Sequence, residues 1–321
     1  MKAQAIAHTM EGLVKYHGLR DWELRIPYHD SISVNLQAFT ATTEVRFGNF
    51  GRDEAYIDGK QVTGRELQRI LTVINYIRRL AGIEDNFFMS SQNSIPKGAV
   101  KGLGFSSAGG AALAAAAYKA AGLDKEYGWN LRLISRIARR LAGSACRSVV
   151  GYYSRWYAGN SDEDSYAECF ADNKSLEIKV VVIPFQAEYS TEDAHREAEK
   201  SPFFRERIRS AQERCDLLER AVIEGDFKTL GELAEIDSLE LHAVTMTGPS
   251  KLILMRPESL KVINEVQRLR SENVLCYYSM QTGPTVYINT LPEDTDYVRT
   301  RIEDLGFNPY VSSIGGPVRT A

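Results

Sequence analysis

Residues 101–117 read KGLGFSSAGGAALAAAA and join a glycine turn and two serines to an alanine-rich helical run. The N-terminus of a helix exposes unpaired N–H groups and the positive end of its dipole. Gly102 and Gly104 would let an anion approach the backbone, and Ser106 and Ser107 would donate hydroxyls to it. The stretch therefore predicts a phosphate-binding loop, although it lacks the Gly-Lys-Ser/Thr ending of a Walker motif. A small-residue helix packed tightly on a sheet is the alternative interpretation.

The chain before this stretch is rich in strand patterns. SISVNLQ alternates apolar and polar residues, as a half-buried strand does, and TTEVRFG continues the pattern. YIDGKQV places Asp58-Gly59 between two short runs, which predicts a hairpin. Thr63 and Glu66 have the spacing of a capping box in front of a helix that ends near Gly82. A helix packed on a sheet is expected.

The chain after this stretch alternates helical and strand patterns. A helix-like segment over residues 130–159 is interrupted by Ala142-Gly143-Ser144, and KVVVIPF is an apolar run typical of a strand covered on both faces. Apolar residues recur every three or four positions over residues 203–223, which predicts an amphipathic helix, and another helix is expected over 228–242. VLCYYSMQTGPTVYINT predicts two strands joined by a turn.

Composition narrows the class of protein. The chain has 321 residues, 44% of them hydrophobic and 25% charged, with a formal net charge of −3, so it offers no general attraction to nucleic acid or anionic lipid. Charged residues near the N-terminus exclude a secretory signal, and no stretch has the length and apolarity of a membrane span. We expect a cytoplasmic protein without membrane insertion. Four widely spaced cysteines indicate reduced, buried thiols rather than a zinc site.

Three further stretches combine basic residues with apolar or small neighbours. The segment 12–33 contains Lys15, His17, Arg20, Arg25 and His29. These residues could form part of a functional site, or they could be solvated surface charge. In AGSACRSVVGYYSRW, small residues around Arg147 favour a desolvated guanidinium, paired either with a ligand or with a structural carboxylate. In STEDAHREAEK, His195 and Arg196 could grip an anion or stand on an exposed helix start.

Together these stretches resemble the mevalonate-pathway decarboxylases of the GHMP kinase superfamily over nearly the whole chain. The motifs stand in the family's order and spacing: KYHGLRD, IPYHDSIS, GLGFSSAGG, GSACRS, AHREA, TMTGP and TGPTVYINT. They are especially similar to the archaeal-type enzymes that act on 5-monophosphorylated mevalonate. The resemblance implies an α+β, two-lobed GHMP kinase fold, with an N-terminal lobe like domain 2 of ribosomal protein S5 and a ferredoxin-like C-terminal lobe. We place the lobe with the phosphate loop at residues 1–184 and the other at 185–321.

The resemblance also implies roles for individual residues. Lys15 and Arg147 would steady the phosphate and carboxylate at C3 of the substrate, and Gln281 occupies the position of an aspartate that approaches the 3-hydroxyl. The substrate-contacting positions hold Tyr16, His17, Ser144, His195 and Arg196, the last two where a 5-phosphate is expected. The phosphate loop contributes Gly104, Ser106 and Ser107. Homodimers are common in the family, so a homodimer is expected.

The sequence departs from the family pattern at three places. Leu19 replaces the lysine of diphosphate-using members, which favours a monophosphate because an apolar group cannot neutralise a further phosphate. Phe105 replaces a serine that touches ATP, and the loop is lengthened around Lys97 and Lys101, which are either solvated or near an anion. Gln281 cannot act as a general base, because an amide is not basic.

Loss of an ATP contact together with the acid indicates loss of the kinase step. We therefore predict a decarboxylase that converts mevalonate 3,5-bisphosphate to isopentenyl phosphate by loss of the 3-phosphate and CO₂, with no ATP and no metal. One alternative is an ATP-dependent phosphomevalonate or diphosphomevalonate decarboxylase that uses ATP and Mg²⁺. The other is a mevalonate-type kinase or a non-catalytic paralogue that binds a phosphometabolite.

Overall fold

A computed structural model describes residues 1–95 and 102–321 of the chain. The strands are Lys2–Val14 (β1), Leu19–Asp21 (β2), Ile26–Pro27 (β3), Ser31–Gly48 (β4), Glu54–Ile57 (β5), Lys60–Gln61 (β6), Asn86–Asn93 (β7), Tyr153–Tyr157 (β8), Tyr166–Ala171 (β9), Lys179–Ile183 (β10), Cys276–Met280 (β11), Val286–Thr290 (β12), Tyr310–Ser313 (β13) and Arg319–Thr320 (β14). The helices are Gly64–Ala81 (α1), Phe105–Ala120 (α2), Leu123–Tyr127 (α3), Leu131–Arg139 (α4), Ala145–Val150 (α5), Thr191–Ala198 (α6), Phe204–Glu224 (α7), Phe227–Met246 (α8), Pro257–Ser271 (α9) and Thr295–Asp304 (α10). The predictions for Lys97 and Lys101 lie outside the described residues.

The larger sheet supports the helix that follows the glycine turn. Its strand order is β14–β1–β4–β7–β5–β6, and β8 and β9 extend it from β4. Helix α2 packs on β1 and β4, and its alanines are almost all buried. A Cβ placed on Gly110 would lie 2.7 Å from the Cβ of Ala145 in α5. The small residues of α2 therefore allow close packing, so the tight-packing interpretation is confirmed; it does not compete with ligand binding at the first turn.

The smaller sheet has the order β11–β12–β10–β13 and is covered by helices on both faces. Val181 and Ile183 face a core that includes residues of α9 and α10, whereas Val180 and Val182 face a core shared with α7 and α8. The apolar run of β10 is buried on both faces for this reason, as predicted. The predicted organisation in two α+β lobes is confirmed.

Of three predictions of local structure, the hairpin is confirmed and two others are wrong. Asp58 and Gly59 both have positive φ angles, 49° and 76°, at the turn between β5 and β6, which confirms the hairpin. The prediction of a capping box at Thr63 was wrong. Helix α1 begins after Thr63, but the Thr63 side chain accepts no capping hydrogen bond. The helical reading of residues 153–157 was also wrong, because the chain leaves α5 at Gly151 and pairs as β8 with β4 and β9.

The chain passes from the lobe of the larger sheet to that of the smaller sheet and returns to the first lobe at its C-terminal strand. Strand β10 already belongs to the smaller sheet, and the C-terminal strand β14 returns to pair with β1 in the larger sheet. The division at residue 184 stays a prediction.

Three of the cysteines are buried as expected, but Cys169 is exposed on β9. Among the described residues, no helix combines the length and apolarity needed to cross a bilayer.

Candidate active site

A cavity of about 690 Å³ lies between the two lobes. The end of β1, the first turn of α2 and the start of α5 line it from one lobe, and α6, α8 and the turn after β11 line it from the other. The predicted site residues that line it are Lys15, Tyr16, Gly104, Ser106, Ser107, Ser144, Arg147, His195 and Gln281. The structure therefore brings most of the predicted constellation together around one space.

Arg147 lies on α5 and is buried, with 1% of its surface exposed. Its Nε and Nη1 atoms have no hydrogen-bond partner, and no carboxylate pairs with it anywhere in residues 1–95 or 102–321. The rings of Tyr16 and Trp156 lie 5.7 Å and 5.8 Å from its guanidinium carbon. Burial lowers the pKa of Arg147, but a guanidinium stays charged near neutral pH. The alternative prediction, that Arg147 pairs with a structural carboxylate, is therefore wrong. An unpaired buried cation of this kind indicates an anionic ligand.

Lys15 directly follows β1 and lines the same cavity. Its Nζ donates to Ser238 Oγ at 3.2 Å and lies 3.6 Å from Asp237 Oδ2. Burial lowers the pKa of Lys15 to about 8, and the negative charges of Asp237 and Glu11 oppose that shift. At neutral pH the cavity therefore contains a second, mostly protonated cation.

His195 presents a neutral donor at the α6 side of the cavity. Its Nδ1 accepts the Gly18 N–H at 3.0 Å, so the proton of the neutral ring lies on Nε2. That Nε2 is buried and has no partner among the described residues. Burial, followed by the charge of Arg25, lowers the pKa of His195 to about 3. The Tyr16 ring stacks on it with centroids 5.0 Å apart. An N–H donor aimed into the cavity suits a phosphate oxygen.

Two predicted ligands, His17 and Arg196, are not in the cavity wall. His17 Nε2 bonds to Thr245 Oγ1 at 2.9 Å, behind the His195 ring. Arg196 is exposed, and its guanidinium carbon lies 4.0 Å from the centre of the Trp22 ring. Successive residues of a helix point about 100° apart, so α6 can aim only one of His195 and Arg196 at the cavity. The surface interpretation of residues 12–33 is wrong for Lys15, His17 and His29, which are buried.

The backbone conformation of the phosphate loop depends on glycine. Gly102 has a φ of 87°, and a Cβ there would lie 2.2 Å from Thr285 Oγ1. The Ser107 hydroxyl donates to the Gly104 carbonyl at 2.7 Å, so it stabilises the turn, while Ser106 is exposed at the start of α2. Phe105 lines the cavity and packs edge-on against Phe39, with centroids 6.5 Å apart. The ring is anchored in the core beside the loop.

Gln281 follows β11 and ties the two lobes together. Its Nε2 donates to the Met10 carbonyl at 3.1 Å, and the side chain lies beside Tyr287. The Tyr287 hydroxyl in turn donates to the Gly102 carbonyl at 2.9 Å. The amide is therefore held in the cavity wall, beside a tyrosine that bonds to the phosphate loop, and it offers no acid or base there.

Sequence reasoning missed the residues that support Lys15. Asp237 and Ser238 on α8 contact Lys15, and Arg207 on α7 bonds to its carbonyl. The available signal was an acidic residue on an apolar helix face, because Asp237 shares its face with Ala234 and Leu241. A buried charge needs a partner, so this position pointed to a cation elsewhere in the chain.

The arrangement suits a small polyanion. Lys15, Arg147, the His195 N–H and the start of α2 all face one cavity. In the ranges that the structure describes, no three His, Cys, Asp or Glu side chains are grouped as metal ligands. Such a site can bind phosphate and carboxylate groups and stabilise charge that develops on them.

Comparisons with known proteins agree with this geometry. The diphosphomevalonate decarboxylase-like N-terminal domain matches residues 7–167, and the mevalonate 5-diphosphate decarboxylase C-terminal domain matches residues 178–309. The phosphomevalonate decarboxylase of Haloferax volcanii is 40% identical over 319 residues, covering 99% of this chain and 97% of that protein.

Solved structures show the same fold. The mevalonate diphosphate decarboxylase of Staphylococcus aureus superposes with a TM-score of 0.93 at 29% identity, covering 100% of this chain and 98% of that one. The enzyme of the same name from Enterococcus faecalis, in a structure on ATP binding mediated by mevalonate diphosphate, has a TM-score of 0.91 at 28% identity and covers 100% and 99%. The predicted GHMP kinase fold is confirmed. The chain belongs to the mevalonate-pathway decarboxylases of the GHMP kinase superfamily, in their archaeal-type branch, and is a carboxy-lyase.

Proposed function

We propose that this decarboxylase acts on mevalonate 3,5-bisphosphate and releases isopentenyl phosphate, inorganic phosphate and CO₂ without ATP. The observation that carries the proposal is Gln281, which lies in the cavity wall with its amide bonded to the Met10 carbonyl. An enzyme that phosphorylates the 3-hydroxyl needs a group to receive or orient its proton, and an amide is not basic. A substrate that arrives already phosphorylated at O3 has no such need.

The reaction balances without an added base. The C1–C2 bond breaks and its electron pair forms the C2–C3 double bond. The C3–O bond breaks at the same centre, and its electron pair leaves with the phosphate. No proton has to be removed, so the chemical demand on the protein is to stabilise the negative charge that grows on the leaving phosphate.

The described residues meet that demand. Lys15 and Arg147 line the same cavity, and the start of α2, which no described side chain caps, faces it with the positive end of the helix dipole. Because Arg147 makes no ion pair with any described residue, its charge is available to the ligand. Preorganised donors of this kind act without having to reorganise during the reaction.

The part of the cavity wall beside α6 suits the 5-phosphate. The His195 Nε2–H and the Tyr16 ring face it, and Ser144 lies beside them before α5. Leu19 is buried outside this wall and adds no charge there. One phosphate, rather than a diphosphate, matches that donor set.

An ATP-dependent phosphomevalonate decarboxylase is the second candidate. It is favoured by the name of the Haloferax relative and by the ATP binding named for the Enterococcus enzyme. The described residues suit a magnesium nucleotide less well. Phe105 puts a ring beside the loop where a hydroxyl would donate, and Glu66 is the single carboxylate in the described part of the cavity wall. Magnesium nucleotide sites rely on carboxylates for the metal.

The test supplies each substrate with and without ATP. Purified protein is desalted to remove free nucleotide and then given mevalonate 3,5-bisphosphate or mevalonate 5-phosphate, with hexokinase and glucose added only to the ATP-free mixtures to consume residual ATP. We expect equal release of phosphate and CO₂ from the bisphosphate whether or not Mg-ATP is restored, and none from the 5-phosphate. Turnover of the 5-phosphate with Mg-ATP would establish the second candidate instead. Inertness of every mixture would overturn both.

His195 and Arg196 provide a test of the 5-phosphate end. His195→Asn keeps an acceptor for the Gly18 N–H but removes the Nε2 donor, so we expect KM to rise about 10-fold or more, as loss of a hydrogen bond to a charged group predicts. His195→Gln, whose amide reaches the Nε2 position, should recover much of that loss. Arg196→Ala should leave KM nearly unchanged, because Arg196 stacks on Trp22 outside the cavity. Steady-state kinetics of the three variants decide; an equal rise in KM for Arg196→Ala would refute this placement.

A further inference from the structure

We infer that Asp237 is a positioning residue that holds the Lys15 ammonium charged and aimed at the reacting end of the substrate. The inference deepens the function proposed above and rests on the role given there to Lys15. It goes beyond the cavity wall, because Asp237 is fully buried on α8 behind Lys15.

One carboxylate oxygen of Asp237 holds Lys15 at two points. Oδ2 accepts the Lys15 backbone N–H at 3.0 Å and lies 3.6 Å from Nζ. The hydroxyl of Ser238, the next residue on α8, accepts from Nζ at 3.2 Å. An ammonium has three N–H donors. One of them is directed to Ser238, and the attraction of the Asp237 carboxylate 3.6 Å away limits where the ammonium can lie. The two α8 residues therefore orient the donors that remain for the ligand.

The other oxygen of Asp237 is fixed by arginines. Oδ1 accepts from Arg207 Nη1 at 2.6 Å and from Arg214 Nη1 at 3.0 Å, while Arg207 Nη2 donates to the Lys15 carbonyl at 2.8 Å. Lys15 is therefore clamped at its N–H, its carbonyl and its side chain by one Asp237–Arg207 pair. Burial by itself would raise the pKa of Asp237, but Arg207 and Lys15 hold it well below its usual range, so the carboxylate is ionised.

In the described part of the chain, four charged or titratable groups face Lys15 from the surrounding elements: Glu11 on β1, Arg207 on α7, and Asp237 and His242 on α8. Arg207 disfavours a charged Lys15. Burial, followed by the charge of Lys15, lowers the pKa of His242 to about 4, so its ring is neutral. Burial raises the pKa of Glu11, which weakens its contribution as an anion. Asp237 is the anion that most directly keeps a proton on this desolvated amine.

The experiment measures the charge of Lys15 directly. Protein labelled with ¹³Cε-lysine is titrated by NMR without substrate, and the Lys15 signal is assigned from Lys15→Arg. We expect a midpoint near pH 8 in the unaltered protein. In Asp237→Asn the midpoint should fall by about one pH unit or more, the shift that an opposite charge at this distance produces. The alkaline limb of kcat/KM should move down in pH by the same amount.

Two further variants control for folding and for nonspecific charge effects. Asp237→Asn combined with Arg214→Met restores the net charge of the cluster, so it keeps the test valid if the single variant fails to fold. Glu240→Gln removes a carboxylate that bonds to Arg207 and Arg214 but does not contact Lys15, and should shift the midpoint much less.

An unmoved Lys15 midpoint in a folded Asp237 variant would overturn the inference, as would a fall in kcat with no change in the pH profile. The NMR titration needs no substrate. Its failure is therefore distinguishable from failure of the proposed function, which the ATP comparison decides.

Discussion

Arg147→Met is expected to lower kcat for decarboxylation by about 100-fold to 1,000-fold, the usual effect of removing one preorganised contact to developing charge. The guanidinium is buried and has no carboxylate partner among the described residues, so its charge acts on the ligand rather than on the fold. Methionine fills much of the vacated space and leaves no counter-ion unpaired. Thermal unfolding should accordingly show little loss of stability, while single-turnover kinetics show the slowed chemical step.

Arg139→Met is the matched control. Arg139 is as deeply buried as Arg147, but it pairs with Asp162 and donates to the Ser165 carbonyl at 2.8 Å. Its loss should lower the melting temperature because structural partners are left unsatisfied, and the folded fraction should keep its kcat. A folded Arg147→Met protein with unaltered kcat would dismiss the assignment of Arg147 to the reaction.

Lys15→Met is expected to lower kcat/KM by about 100-fold or more, for the same reason as at Arg147. The unaltered enzyme should lose kcat/KM as pH rises through about 8, because the pKa of the free-enzyme Lys15 is lowered to about 8 by burial and only the protonated form attracts the phosphate. Bound substrate adds negative charge beside the amine, which raises its pKa, so the fall in kcat should occur at higher pH than the fall in kcat/KM. Full pH–rate profiles measure both.

Lys15→Arg separates charge from placement. A guanidinium stays protonated across this range, so any residual activity of that variant should show no alkaline fall near pH 8. If Lys15→Arg and the unaltered enzyme lost kcat/KM at the same pH, a group other than Lys15 would be responsible for the alkaline fall in kcat/KM.

Much of the fold could be predicted because local patterns agreed with tertiary packing. Strand β10 showed its burial on two faces as an unbroken apolar run, and the Asp58-Gly59 turn showed its positive φ angles in its residue types. Strand β8 was mistaken for helix because Gly151 ends α5 and only pairing with β4 and β9 makes the following residues a strand. Such long-range pairing leaves little trace in a local window.

The candidate site shows the same division. Motif resemblance located Lys15, Arg147, His195 and Gln281, and all four line one cavity. It could not separate His195 from its neighbour Arg196, because only the orientation of α6 decides which of them faces inward. Nor could it reveal Asp237, which lies 222 residues from Lys15 in the chain and meets it only through folding.

The most direct measurement of the central claim follows the leaving group itself. Mevalonate 3,5-bisphosphate labelled with ³²P in the 3-phosphate and with ¹⁴C at C1 is mixed with nucleotide-free enzyme, and labelled phosphate and labelled CO₂ are counted over the first turnovers. The account predicts one labelled inorganic phosphate for each CO₂, at the same rate with or without Mg-ATP. CO₂ released only when Mg-ATP is present, or label that stays on the organic product, would contradict it.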